Sequence, residues 1–374
     1  MAVLSDAQRE AGWTIAKLGD ICAFVAGSAF PQKEQGKVSG DYPFAKVKDL
    51  QSVAGLSWRN IDNWIEESQL KTLKSKIIPV KSIVFAKIGE GLKRERFALS
   101  SIPMCIDNNL MAAVPSTAVN NIWLYYKFKT LNISSLVAGS ALPYLRVQDL
   151  KDLDISLPPL EEQERIAGIL GSLDDKIEAN TRLIQTLKEY MTALYKAEAK
   201  NGKVLELTDI ADFINGRAFT KDATGTGRVV IRIAELNNGL GASTVYNDIE
   251  VKEENTAYPG DVLMSWSGSL DTYVWHLPEA IINQHIFKVI PKGNYPKWLV
   301  YHACKSVIED FQAIAVDKAT TMGHIRRGDL KRDISIPARE MPQMENLWNL
   351  WMNLEQENLQ LAETRDALIK RLIG

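Results

Sequence analysis

Two long stretches of this chain carry hydrophobic residues at alternating intervals of three and four positions. The first follows Pro158 and Pro159 in the middle of the chain, and the second occupies the last part of the sequence. This heptad spacing predicts helices that pack along a narrow seam against another helix. The predicted seam positions are Leu170, Leu173, Ile177, Asn180, Ile184 and Leu187 in the first helix, and Leu354, Asn358, Leu361 and Leu368 in the second.

Each predicted seam contains one asparagine, Asn180 in the first helix and Asn358 in the second. A single polar residue in an apolar seam is a common means of fixing the register of two helices. The simplest partner for either helix is the other helix of the same chain. We therefore predict an antiparallel pair with one globular domain at each end. The alternative is that each helix only covers the domain beside it.

The rest of the sequence consists of two similar halves. The segment KLGDICAFVAGSAF from Lys17 matches ELTDIADFINGRAF from Glu206, with glycines at equivalent positions, Gly27 and Gly216. Three further segments match in the same order: SIVFAKIG at 82–89 with DVLMSWSG at 261–268, NNLMAAV at 108–114 with NQHIFKV at 283–289, and LRVQDLKDLDISLP at 145–158 with IRRGDLKRDISIP at 325–337. A repeat of about 180 residues is too long for a solenoid and indicates two homologous domains.

Within each half, short β-rich runs alternate with glycine, proline and aspartate and with a few helical pieces. The predicted fold class is α+β, with two homologous globular domains separated by a pair of long antiparallel coiled-coil helices in a pseudo-twofold arrangement. The predicted boundaries are 1–157 for the first globular domain, 158–199 for the first long helix, 200–337 for the second globular domain and 338–374 for the second long helix.

Charge and composition narrow the class of protein. The chain has 44 Lys and Arg against 46 Asp and Glu, so it is not a polycation, although local basic faces are compatible with this balance. Its three cysteines are far apart in the sequence, a pattern typical of buried thiols in a reducing compartment. The sequence shows no secretory signal pattern and no membrane-length apolar run. We expect a soluble, cytoplasmic protein that contacts no membrane.

The sequence resembles one known family, the specificity subunits of type I restriction–modification systems. The resemblance rests on LPPLEEQERIAGILGSLDDKIEANTRLI from Leu157, on the start of each domain, on NQH at 283–285 and on the closing ALIKRLIG, and it extends over nearly the whole chain. The second linker, IPAREMPQMENL from Ile336, departs from the Pro-Pro-Leu-x-x-Gln pattern of the first.

The resemblance implies two target-recognition domains, each reading one half of an asymmetric, interrupted site in double-stranded DNA. It implies that the helices set the gap between the half-sites and dock two methyltransferase (modification) subunits. A separate ATP-dependent restriction subunit would perform translocation and cleavage. S-adenosylmethionine and ATP are then expected on the partner subunits, and this chain is expected to hold no cofactor. Two unlike domains suit an asymmetric site, because a symmetric dimer would read a palindrome.

The residues themselves show no catalytic motif. The four histidines fall in no metal-ligand pattern, and no phosphate-binding loop, nucleophile elbow or Asn-Pro-Pro-aromatic methyltransferase motif is present. These observations favour a non-catalytic chain without a metal. Two alternatives stay open: a coiled-coil scaffold that binds only proteins, and the recognition portion of a combined methyltransferase–endonuclease.

Local clusters of basic and polar residues are the candidate DNA contacts. Residues 71–96 carry eight Lys and Arg against two Glu, which is either a solvated face or the lining of a groove that contacts phosphates. The loops GEGLKRERF at 89–97 and SGSLDTYVWHL at 267–277 differ most between the halves and are where different bases could be read. The predicted DNA-binding residues are Lys87, Lys93, Arg94 and Arg96 in the first domain, and Arg217, Lys221, Ser267, Ser269, Tyr273, His324, Arg326 and Arg327 in the second.

Overall fold

The computed structural model describes residues 3–374 except 55, 59–60, 90, 93–94, 140–142 and 318–323. The chain divides into two units, each of mixed helix and sheet. Unit 1 consists of Met1–Ala179 and Leu361–Gly374, and unit 2 consists of Asn180–Gln360. Among the helices of the described ranges, none is both long enough and apolar enough to cross a membrane.

Unit 1 is built around a six-stranded sheet. Its central strand, Ile83–Ala86, is buried along its whole length and pairs antiparallel with Leu110–Pro115 and Phe97–Leu99. Such short apolar runs favour strands because β-branched and aromatic side chains pack well on a pleated surface. In spatial order the strands are Cys22–Ala26, Leu110–Pro115, Ile83–Ala86, Phe97–Leu99, Ser57–Trp58 and Val53–Ala54. Trp64–Ile65, Tyr42–Ala45 and Cys105–Ile106 form a three-stranded sheet, while Thr14–Lys17 pairs with Asp154–Leu157 and Val137–Ala138 with Tyr144–Leu145.

One helix of unit 1, Asn121–Thr130, has its middle six residues buried in the core. Its residues Trp123 and Phe128 are fully buried in the same hydrophobic cluster as Phe85 of the sheet. The side chain of Asn120 caps the helix by accepting hydrogen bonds from the backbone N–H groups of its first turn, both at 3.0 Å. The other short helices of unit 1 are Asp6–Glu10, Leu18–Ile21, Glu67–Leu73 and Val147–Lys151, with 3-10 turns at Gln32–Glu34, Val47–Ser52 and Ile133–Leu136.

Unit 2 repeats this plan. Its central strand Val262–Ser265 is buried throughout and pairs antiparallel with Ile286–Pro291 and Thr272–Val274. In spatial order, the strands of its first sheet are Ala211–Asn215, Ile286–Pro291, Val262–Ser265 and Thr272–Val274. Those of its second sheet are Val245–Asn247, Arg228–Ile231, Ala280–Ile282 and Thr256–Ala257. A separate pair is formed by Lys203–Glu206 and Asp333–Ile336. The short helices are Leu207–Ile210, Ile233–Asn238, Lys297–Ser306 and Ile308–Asp317, with 3-10 turns at Glu253–Asn255 and Arg327–Leu330. The predicted pair of homologous α+β domains is confirmed.

The glycines shared by the two halves lie at a close approach of two backbone segments. A Cβ atom on Gly27 would lie 2.0 Å from the carbonyl oxygen of Asp107, and one on Gly216 would lie 2.1 Å from that of Asn283. No side chain fits at either place. Asp107 in unit 1 is therefore the counterpart of Asn283 in unit 2.

This geometry corrects the register of one predicted match. The alignment of 108–114 with 283–289 is wrong by one residue, because the residue at the close approach in unit 1 is Asp107. The strand pairing agrees, since Ala113 and Val289 each lie opposite the first residue of the central strand of their sheet. Asn108 and Asn283 are therefore the same residue type but do not occupy equivalent positions.

The two long helices span Leu160–Ala199 and Pro342–Leu372, and each contributes one part to each unit. All ten predicted seam residues are buried or partly buried. The predicted domain boundaries stay predictions, since the two units divide the chain within the long helices.

Within unit 2, the parts of the two long helices run antiparallel. Asn180 Nδ2 donates a hydrogen bond to Asn358 Oδ1 at 3.0 Å, and Lys188 Nζ lies 3.6 Å from Glu355 Oε1. Later residues of the first helix thus meet earlier residues of the second. The two asparagines that interrupt the predicted seams contact each other.

Within unit 1, a buried carboxylate joins both long helices to the buried short helix. Asp174, whose side chain is 1% exposed, accepts hydrogen bonds from Arg365 Nη1 and from the hydroxyl of Tyr126, both at 2.5 Å. Lys127 Nζ donates to the backbone carbonyl of Ile373 at 3.1 Å, at the end of the second long helix. These contacts anchor the globular part of unit 1 on its helical part.

Candidate nucleic-acid interface

A bridge between two loops forms one edge of unit 2, where the central strand ends. Ser267 forms an antiparallel β-bridge with His324, and the backbone N–H of Ile325 donates to the carbonyl of Trp266 at 3.0 Å. The N–H of Trp266 donates in turn to the carbonyl of His285 at 3.0 Å. Three segments that are far apart in the sequence therefore meet at this edge.

Arg217 lies at the same edge. It forms a parallel bridge with Asn283, and its carbonyl accepts a hydrogen bond from Gln284 N at 2.8 Å. The side chain of Asn283 is buried and accepts from Phe219 N at 3.0 Å, so it holds the loop that carries Arg217. His285 completes the turn with φ +74°, a conformation that favours glycine, and its Nδ1 has no hydrogen-bond partner among the described atoms. Backbone strain of this kind is enriched at functional sites.

Unit 1 contains the same bridge at the end of its own central strand. Ile88 pairs with Tyr144, and the N–H of Leu145 donates to the carbonyl of Lys87 at 2.9 Å. The N–H of Lys87 donates to the carbonyl of Asn109 at 2.8 Å. Each of these two hydrogen bonds has a counterpart in unit 2, where Trp266 takes the place of Lys87.

Both bridged loops turn at a glycine with positive φ, Gly89 at +80° and Gly268 at +65°. Glycine adopts this conformation without steric cost, whereas other residues are strained there. The shared turn explains why the two halves match up to this glycine. The residues that follow the glycine are not constrained by this turn, and their sequences differ between the two halves.

Basic side chains are exposed at the edge of unit 2. Arg217, Lys221, Arg326 and Arg327 are all exposed, while His324 in the bridge is partly buried. Cationic donors of this kind can contact phosphates or the acceptor atoms of base edges. The structure thus brings Arg217, His324 and Arg326 to one edge.

The predicted polar contacts of unit 2 are placed differently. Ser267 is only 7% exposed and takes part in the bridge through its backbone. Tyr273 is partly buried, and its hydroxyl donates to Asn237 Oδ1 at 2.6 Å. Ser269 is exposed, and its carbonyl accepts from Ser265 Oγ at 2.5 Å. Direct DNA contacts by these three side chains stay predictions.

The predicted contacts of unit 1 lie in and beyond the bridged loop. Lys87 is partly buried, and both its backbone N–H and its carbonyl are used in hydrogen bonds at the bridge. Arg96 is exposed. Lys93 and Arg94 lie outside the described residues. The DNA-binding role of all four stays a prediction.

Metal-ligand clusters and reactive thiols are two kinds of chemical site that the described residues can be checked for. Within the described residues, no group of three or more His, Cys, Asp or Glu side chains is arranged to hold a metal ion. The three cysteines are buried, and burial raises the pKa of Cys22 and Cys304 to about 12 and that of Cys105 to about 11. Such thiols stay protonated and unreactive at neutral pH. The edges present positive charge and hydrogen-bond donors.

Comparison with known proteins identifies the family. The family model described as the type I restriction modification DNA specificity domain matches the chain twice, at residues 10–189 and 200–346. The chain belongs to this family. Each match contains one of the two bridged edges, so the internal repeat is a repeat of the specificity domain.

Curated relatives are specificity subunits by name. The type I restriction enzyme MjaIX specificity subunit of Methanocaldococcus jannaschii is 33% identical over 187 residues, which cover 49% of this chain and 42% of that protein. The MjaVIII specificity subunit of the same organism is 22% identical over 190 residues, which cover 49% of this chain and 41% of that protein. The aligned part of this chain thus spans less than half the length of either relative.

A solved structure has the same fold. The S subunit of a type I restriction–modification system from M. genitalium matches with a TM-score of 0.57 and 16% identity. The match covers 100% of this chain and 98% of that chain. At this level of identity the likeness is one of fold.

The specificity-domain repeat reveals two residues that the sequence criteria missed. Tyr144 and Arg146 of unit 1 stand where unit 2 has His324 and Arg326. Clusters of basic residues in the sequence include only the second pair, because Arg146 has no basic residue within four positions on either side. The signal that finds the first pair is the match of 145–158 with 325–337.

Proposed function

We propose that this chain is the DNA-recognition subunit of a type I restriction–modification complex and performs no catalysis itself. Each globular domain reads one half of an asymmetric, interrupted site in double-stranded DNA. The observation that carries the proposal is the doubled specificity domain, whose copies share a fold but differ in the loops at equivalent edges. Two different readers on one chain suit a site with two different halves.

Exposed arginines support DNA as the ligand. Arg326 and Arg327 follow the bridge of unit 2, and Arg217 lies on the adjoining loop. A planar guanidinium binds phosphate or the O6 and N7 atoms of guanine through two parallel hydrogen bonds. The net charge of −2 does not oppose this function, because only one face needs to be positive.

The long helices fit the role of a spacer between half-sites. They contain 40 and 31 residues, and Asn180 and Asn358 meet within the apolar seam of unit 2. A buried polar pair resists slippage, because any shift by one heptad leaves its groups without partners. Helices with a fixed register hold a fixed length, as a spacer requires.

The first long helix also fits the docking of a partner helix. Leu183 and Tyr190 lie seven residues apart and are 42% and 54% exposed; Leu183 precedes the seam residue Ile184, and Tyr190 precedes the buried Met191. A two-stranded coiled coil needs only its narrow seam, whereas a wider apolar stripe faces further helices in a bundle. We infer that this stripe binds a methyltransferase subunit. In this proposal the complex holds two such subunits and an ATP-dependent restriction subunit, and those partners bind S-adenosylmethionine and ATP.

A mobility-shift assay with the methyltransferase subunit of the same system tests recognition. We expect a shift that requires both half-sites and their spacing. Equal shifts on unrelated duplexes, or none, would favour a scaffold that binds only proteins. Methyl transfer by this chain alone would favour a combined methyltransferase–endonuclease.

Substitution of the exposed stripe tests docking. Leu183→Glu with Tyr190→Glu should abolish co-purification of the methyltransferase subunit while leaving the fold intact, because both side chains are exposed. Val204→Glu, at a residue that is 62% exposed outside the helices, is the matched control and should leave binding unchanged. Normal co-purification of the double variant would contradict the proposed docking surface.

A further inference from the structure

Tyr144 and Arg146 project from the bridged edge of unit 1 on either side of a buried anchor. Leu145 is 5% exposed, and its N–H donates to the carbonyl of Lys87 at 2.9 Å. Successive side chains of an extended segment point to opposite faces. Tyr144 and Arg146 therefore share the outward face, and both are exposed.

The guanidinium of Arg146 is held against the ring of Tyr144. Its central carbon lies 5.9 Å from the ring centroid, and Nη2 donates to the phenolic oxygen at 3.4 Å. Arg146 forms no ion pair with a carboxylate of the described chain, whereas the exposed Arg9 of the same unit is paired with Asp6 at 2.9 Å. An arginine that contacts an aromatic ring and forms no ion pair within 4.0 Å keeps most of its donors available, although the hydrogen bond to Tyr144 and, to a smaller extent, the nearby charge of Asp149 raise the pKa of Arg146.

Unit 2 has a related pair in the same place. His324 forms the bridge, Ile325 is the buried anchor at 2% exposure, and Arg326 is exposed. The arginine is common to both edges and the ring beside it differs. Each domain thus has an aromatic residue and an arginine at the same edge, but the aromatic residue is tyrosine in unit 1 and histidine in unit 2. Such a difference at equivalent positions is expected of two domains that read different half-sites.

We propose that Arg146 reads a guanine in the half-site bound by unit 1 and that Tyr144 positions its guanidinium. This inference rests on the proposed function and assigns residues to one of its two readers. Donation to O6 and N7 of guanine requires a planar group in a suitable orientation, and the contact of the guanidinium with the ring and hydroxyl of Tyr144 favours one. Tyr144 is a positioning residue because it acts through Arg146.

Selection from duplexes randomised in both half-sites tests the assignment, with the complex of this chain and its methyltransferase partner. Arg146→Ala should reduce discrimination at one base pair of one half-site by roughly 5- to 150-fold. Arg146→Lys should lose part of that discrimination, because an ammonium group is a compact charge on a flexible stem and lacks the rigid planar fork of donors of a guanidinium. Tyr144→Phe keeps the ring but removes the hydroxyl, so it should keep more of the discrimination at that base pair than Tyr144→Ala, which removes both contacts.

The controls separate this assignment from general damage and from the proposed function. Arg9→Ala removes an equal charge from the same unit and should change nothing, and thermal unfolding should show Arg146→Lys to be as stable as the wild type. Weaker binding of all sequences with a shallower salt dependence would make Arg146 a phosphate contact and overturn the assignment. Unchanged selectivity, or equal loss in both half-sites, would also overturn it. A wild-type complex without any sequence preference would instead remove the proposed function, and this assignment with it.

Discussion

Lengthening both long helices by one heptad should lengthen the gap between the two half-sites. The insertions are placed after Ile177 in the first helix and after Leu361 in the second, close to the level at which Asn180 meets Asn358. An insertion of seven residues keeps the apolar stripe in phase, because the seam repeats every seven residues. The antiparallel pairing within each unit is then preserved.

The expected change follows from helix geometry. Seven residues at about 1.5 Å each add roughly 10 Å of helix. At about 3.4 Å per base pair, this length corresponds to about three base pairs. Three base pairs also rotate the duplex by roughly a quarter turn, judged from about 10.5 base pairs per turn. One heptad rotates the helix face by only about 20°, so we expect weaker binding with a gap about two to four base pairs longer.

The assay is genome-wide mapping of methylated motifs made by the inserted variants in complex with the methyltransferase partner. The half-site sequences should stay unchanged while the gap grows. Insertion of four residues is the control, because it throws the stripe out of phase and should abolish activity. An unchanged gap in a stable, active heptad variant would show that something other than the helices sets the spacing.

Two predictions concern stability. Asp174→Asn should lower the free energy of unfolding by about 1–3 kcal/mol, because the Arg365 guanidinium and the Tyr126 hydroxyl lose a buried carboxylate acceptor while Arg365 keeps only the exposed Asp366. Urea unfolding measures this loss, and the exposed neighbouring substitution Asp175→Asn should cost less than about 0.5 kcal/mol. Burial lowers the pKa of His302 from 6.5 to about 4, so below pH 6.5 the unfolded chain binds more protons and unit 2 loses stability. The loss should reach about 3 kcal/mol by pH 4 and should be absent in His302→Phe; the same acid slope in both proteins would contradict this account.

The fold could be predicted from the sequence because its signals are periodic. A heptad stripe locates the helices and a long repeat locates the domains, and neither requires knowledge of distant contacts. The shared glycines, Gly27 and Gly216, are visible in the sequence as equivalent positions of the repeat. Their cause, a close approach of two backbone segments, is visible only in the structure.

The candidate site was less predictable because long-range pairing decides which side chains are exposed. Ser267 lies in a loop that differs between the halves, yet its bridge to His324 leaves it buried. Tyr144 and Arg146 belong to no basic cluster, and their place beside the bridged loop depends on that same kind of pairing. The sequence match of the two asparagines also placed the alignment one position out of register, because the structural counterpart of Asn283 is Asp107.

Replacement of one globular domain tests the central claim most directly. Residues 13–157 are exchanged for the corresponding domain of a homologous specificity subunit with a different recognition sequence, and the methylated positions are sequenced genome-wide. If each domain reads its own half-site, one half of the motif changes while the other half and the gap stay the same. A motif in which both halves change, or neither does, in an active complex would contradict the account.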